Sequence, residues 1–90
     1  MSISETFTSQ AAGTKTIVLN KKPVNLSVSG LSSGNGTVEL QRQNLAGDWV
    51  AAKVMTADTE EVVISGRKGQ LYRFNCTVYT SGTFDCELEG

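Results

Sequence analysis

Ninety residues, 39% of them apolar and 19% charged, make one small domain and leave no room for two. Eight basic residues against nine acidic give a net charge of -1, which argues against a phosphate-backbone binder, since that needs a concentrated positive field. With no His, a Cys-His zinc site, a Ser-His-Asp relay and a Cys-His nucleophile pair are excluded.

Apolar runs such as Ile17-Val18-Leu19 and Val62-Val63-Ile64 fall far short of the roughly 20 residues that span a bilayer. The start, Met1-Ser2-Ile3-Ser4-Glu5, has no basic segment followed by an apolar one, so no secretory signal is expected and cytoplasmic synthesis is the default. Nine Ser, ten Thr and nine Val, with no helix formers gathered at three-to-four spacing, describe a β sequence.

In chain order, residues 1 to 13 read as an extended arm or an edge strand, ending at Gly13. The β-branched run Thr14 to Leu19 predicts a strand, stopped by Asn20-Lys21-Lys22-Pro23 because Pro cannot donate to a ladder. From Val24 the pattern alternates: Val24, Leu26 and Val28 belong to a buried face, Asn25, Ser27 and Ser29 to a wet one. Gly30 to Gly36 is a loop, Thr37 to Gln43 a strand, and Asn44 to Asp48 a hairpin connection into Trp49 to Met55. The turn Thr56-Ala57-Asp58 leads to a strand over Glu60 to Ser65, and Gly66-Arg67-Lys68-Gly69 leads to the last two strands. Turns every eight to twelve residues suit a sandwich or small barrel.

The end of the chain reads as a hairpin closed by Thr80-Ser81-Gly82, with Gly82 in a left-handed conformation. This register opposes Val78 to Phe84, Cys76 to Cys86 and Phe74 to Leu88 on one apolar face, and turns Arg73, Asn75, Thr77, Asp85 and Glu87 away. Two cysteines so placed reach the short end of disulfide geometry, and two buried thiols fit as well; a reducing cytoplasm favours the thiols. Ten residues apart, the pair cannot close a four-ligand zinc site by itself.

Candidate chemistry is sparse. The glycine-rich loop at 30 to 37 lacks the Lys a P-loop places before its Ser or Thr, and Asp58, Glu60 and Glu61 lack the spacing of a calcium loop, so both read as ordinary turns. The basic doublets Lys21-Lys22 and Arg67-Lys68 both fall in turns and are candidate contacts for an acidic partner surface, provided that the fold brings them together. Trp49 is expected in the core, as the largest filler of a domain with few aromatics, with a binding anchor as the alternative. The Asn-x-Ser/Thr triplets at Asn25, Asn35 and Asn75 are what a Ser/Thr-rich chain produces by chance.

The segment Tyr72-Arg73-Phe74-Asn75-Cys76-Thr77-Val78-Tyr79-Thr80-Ser81-Gly82-Thr83 resembles the ending of many small structural proteins of tailed bacteriophages. Upstream, Val38-Glu39-Leu40-Gln41 with Gly47-Asp48-Trp49 is similar to their strand, turn and Trp, so the resemblance covers about residues 36 to 90. It implies a virion component, a capsid decoration or cement protein on the head surface, whose partners are the major capsid protein or other virion subunits. The chain departs from that pattern in its cysteines at 76 and 86.

The expectation is therefore an all-β domain over residues 14 to 90: a small antiparallel sandwich or jelly-roll-like barrel of about eight short strands. It is read as non-enzymatic, without cofactor, metal, nucleic acid or membrane, and as a homo-oligomer that stabilises a head lattice. The alternative is a tail- or fibre-associated β-module that binds a glycan, through Trp49 and Tyr79, or another virion protein.

Overall fold

The computed structural model describes residues 2–20, 22–32, 34–64 and 68–89. Nine strands and no helix are found among them: β1 (Ser2–Phe7), β2 (Ala11–Ala12), β3 (Ile17–Asn20), β4 (Val24–Ser29), β5 (Gly36–Gln43), β6 (Trp49–Met55), β7 (Thr59–Val63), β8 (Lys68–Tyr79) and β9 (Phe84–Glu89). They form two antiparallel sheets, a four-stranded one in the order β1-β9-β4-β7 and a five-stranded one in the order β2-β8-β5-β6, with β3 also on β8.

Because β2 and β3 lie one after the other along the same edge of β8, they act as one interrupted strand, and the effective number is eight. The pairing is then nested: first with last (β1 with β9), second with seventh (β2/β3 with β8), third with sixth (β4 with β7) and fourth with fifth (β5 with β6). A long hairpin rolled up so that alternate pairs fall in alternate sheets is a jelly roll. The expected sandwich is thus present.

Period-two alternation decides which side chains meet between the sheets. Leu26 and Val28 of β4, Val38 and Leu40 of β5, Phe74 and Cys76 of β8, and Phe84, Cys86 and Leu88 of β9 are all essentially without solvent contact. Burying each Phe, Leu or Val stabilises the fold by about 1.5–3 kcal/mol relative to leaving it exposed. Ile3 and Phe7 of β1 join this core, so the N-terminal edge strand supplies packing as well as an edge.

The end of the chain departs from the expected hairpin. β8 and β9 belong to different sheets, and residues 80–83 cross from one sheet to the other. Cys76 pairs with Val38 and Ala11, whereas Cys86 pairs with Val28 and Glu5, so the two cysteines are not ladder partners. The inward faces were nevertheless assigned correctly from Tyr72 to Cys76 and from Phe84 to Leu88, because two facing sheets bury the same alternate residues as one hairpin face. Val78 is the exception. A register shift between Thr37 and Val38, opposite this part of β8, accompanies its turn to solvent.

The crossing is held by Tyr79, whose ring lies 5.5 Å from that of Phe84 and whose hydroxyl donates to the Gly82 carbonyl at 2.7 Å. Asn35 ties it to the β4–β5 loop: its side-chain Nδ2 donates to the carbonyls of Gly30 (2.9 Å) and Ser81 (3.3 Å), and its backbone carbonyl accepts from the Thr80 backbone N–H (2.9 Å). The Asn35 triplet is therefore a structural clasp. At the same end, the Leu31 backbone N–H donates to the Asp58 carboxylate at 2.9 Å.

Candidate functional site

Three surfaces concentrate chemistry. The first is the end of the sandwich that holds the β3–β4, β5–β6 and β7–β8 turns. Asn20 pairs with Lys68 and Val24 with Val63, so the strand ends that flank the two basic doublets lie side by side. Sequence reasoning made their meeting conditional on the fold; Lys68 is the ladder partner of Asn20, two residues before Lys22, and both lysines are exposed. Lys21 and Arg67 lie outside the described residues.

Between these turns the mouth of the sandwich opens into a cleft of about 980 Å³. Leu45, at the tip of the β5–β6 hairpin and 89% exposed, stands on one side of it, and Ile64, 63% exposed, stands at the end of β7. Its polar lining includes Arg42, which forms no ion pair among the described residues, and Gln70, a buried amide whose Oε1 accepts from the Tyr72 hydroxyl at 3.3 Å. The sequence reading did not single out Leu45 or Ile64. An isolated Leu in a Gly-containing turn is a usable signal, since such a position is normally polar.

The second surface is the outer face of the five-stranded sheet. Trp49 lies here, half-buried, and is absent from the core cluster: the expectation of a core filler is overturned, because its partner Gln43 faces outward and carries it to the same side. The Arg73 guanidinium covers its ring at 4.4 Å from the centroid and donates through Nε to the Gln41 Oε1 at 2.9 Å, while the Gln41 Nε2 donates to Glu39 at 3.0 Å. Cation–π contact and hydrogen bond together fix the aromatic plane and the charge as one rigid patch. Val54, 55% exposed and opposite Glu39, flanks it.

Tyr79, the other aromatic expected to stack on a ligand, does not share this site. It pairs with Gly36 at one end of β5 and Trp49 with Gln43 at the other, about 23 Å away at ~3.3 Å per residue.

The third surface is the outer face of the four-stranded sheet. Its rows run Ser4, Glu87, Ser27, Glu60 and Ser2, Glu89, Asn25, Val62, with Thr6, Asp85 and Ser29 alongside. Thr6 donates to Asp85 at 3.0 Å and Ser27 to Glu60 at 2.5 Å, and none of these carboxylates has a cationic partner among the described residues. No three His, Cys, Asp or Glu side chains converge as metal ligands among the described residues.

The cysteines are buried free thiols within the core. Burial pushes the Cys86 thiol up to about 12, aided by the charges of Cys76, Asp85 and Glu5. Burial also raises Cys76, partly offset by backbone hydrogen bonds at Ala11 and Val78. A thiol held protonated in this way is a poor nucleophile, so the pair acts as apolar filling.

Comparison with protein-family models, curated proteins and solved structures gives no match.

Proposed function

We propose that the protein is a non-enzymatic structural subunit that works through its outside, as a capsid decoration protein on the head lattice of a tailed bacteriophage. The observation that carries this reading is where the anchoring chemistry lies. An aromatic ring clamped by Arg73 sits on an outer sheet face, while the core between the sheets is built of apolar side chains. Trp and Arg held rigid on an outer face are the residue types that dominate protein interfaces. The jelly roll is a fold used by capsid and by lectin domains, and the resemblance of residues 36 to 90 selects the first. The cleft at the basic end offers Arg42, Asn44, Gln70 and Tyr72, which make neither a carboxylate pair nor an activated nucleophile.

The test is cosedimentation with undecorated heads. Saturable, stoichiometric binding is expected, weakened about tenfold or more by Trp49→Ala or Arg73→Ala with the β fold retained. Failure to bind cognate heads, together with binding to a glycan array, would replace this reading with the adhesive tail module.

A further inference from the structure

The net charge of -1 conceals a strong separation. The strands of the four-stranded sheet hold Glu5, Glu60, Glu61, Asp85, Glu87 and Glu89, six of the nine acids, and none of the eight basic residues. Those strands therefore total -6 and the rest of the chain +5. On the outer face of that sheet, Asp85, Glu87 and Glu89 form a line along β9, spaced by about 6.6 Å, with Glu60 beside them in the row of Glu87. Val62, 63% exposed, is the large apolar side chain on the same face. The basic end has the complementary makeup: Lys22 and Lys68 are exposed, Arg42 in the cleft forms no ion pair among the described residues, Leu45 and Ile64 project, and Asp48 of the β5–β6 hairpin is the acid beside them.

We infer that the acidic outer face of the four-stranded sheet is a docking surface for a second copy of this chain, which presents its basic end. Carboxylates of one copy meet ammonium and guanidinium groups of the next, and Leu45 gains an apolar neighbour in Val62. Like-to-like contact through either surface would set charges of one sign together, which disfavours a dimer in which either surface meets its own copy. The contact is head-to-tail, so each copy offers one free end and one free face and the association propagates. It leaves the Trp49–Arg73 face of every copy uncovered. It also needs no capsid, so it stands or falls in experiments separate from head binding.

The test is sedimentation velocity on the purified full chain and on two charge-neutralised variants, Lys22→Gln/Lys68→Gln and Glu87→Gln/Glu89→Gln. All substituted positions are exposed, and circular dichroism verifies that the β fold is retained. At about 20 mM salt the unaltered chain is expected to associate with rising concentration, and the association constant to fall at least about tenfold by about 500 mM salt as the Debye length shrinks below the separation of the charges. Each variant alone is expected to stay monomeric. Mixed, they are expected to form a capped one-to-one pair, because the first keeps its acidic face and the second its basic end. A chain that is monomeric at all concentrations in low salt overturns the inference. So does association that survives in either variant, is indifferent to salt, or is not restored on mixing.

Discussion

Gly30→Ala tests the way the two sheets are joined at the Asn35 end. Gly30 has φ +90°, and an added Cβ would fall far inside van der Waals contact with the Thr83 carbonyl oxygen and 3.0 Å from its carbon. Neither atom is the end of a flexible side chain. A left-handed backbone costs an L-residue roughly 1–2 kcal/mol, and moving Thr83 aside loosens the Ser29–Asp85 pairing next to it, worth about 1 kcal/mol more. The total is about 2–3 kcal/mol, out of about 5–14 kcal/mol expected for a 90-residue domain. At about 4–8 °C per kcal/mol, the midpoint of thermal unfolding should drop by about 8–24 °C. Gly47→Ala is the internal control: Gly47 has nearly the same φ, +91°, but its added Cβ meets nothing within 4 Å. Only the conformational part applies there, about 1–2 kcal/mol or about 4–16 °C, so Gly30→Ala should lie lower by the remaining ~1 kcal/mol. The assay is thermal denaturation followed by circular dichroism on both variants. Equal drops would refute the close approach of Gly30 to Thr83.

Three further outcomes are expected. Native protein at neutral pH should leave both cysteines unmodified by a thiol reagent and react at two equivalents once unfolded; rapid labelling of the native state would contradict their burial. Since the Cys86 thiol is held up to about 12 against an ordinary 9.0, its stabilising contribution is complete below about 9 and is lost as the pH rises toward about 12, as the unfolded thiol ionises first. Urea melts should show that loss, and Cys86→Ala should flatten it. Asp58→Ala should cost about 1–3 kcal/mol by orphaning the Leu31 N–H, which equilibrium unfolding measures; a neutral result would show that the N–H finds another partner.

Alternation made the layers readable and left the pairings obscure. Val24, Leu26 and Val28, then Phe74 and Cys76, then Phe84, Cys86 and Leu88 carry a period of two that any half-buried strand must show. What alternation does not encode is which strand lies alongside. β9 pairs with β1 and β4, and β8 with β3 and β5, all strands far back along the chain, so the turn residues 80 to 82 carried no information about either. Gly82 does take its expected positive φ, yet inside a sheet-to-sheet crossing. Trp49 was misplaced for a related reason: scarcity of aromatics says that a large side chain is needed somewhere, whereas its facing is set by the register of β5 and β6, with a bulge between Leu40 and Gln41. The basic end was half visible, since the doublets were plain in the sequence while the apolar cleft between their turns depends on three connections meeting in space.

Lys53 and Glu61 meet at 2.9 Å. They stand on β6 and β7, the outermost strands of the two sheets on the side where no ladder joins them, and Glu61, opposite Leu26, leans toward the interior. A strand from another molecule offered to β7 would have to pull that carboxylate away from its ammonium and press it against the core. Growth by sheet extension, the route to fibres, is thereby discouraged on this flank.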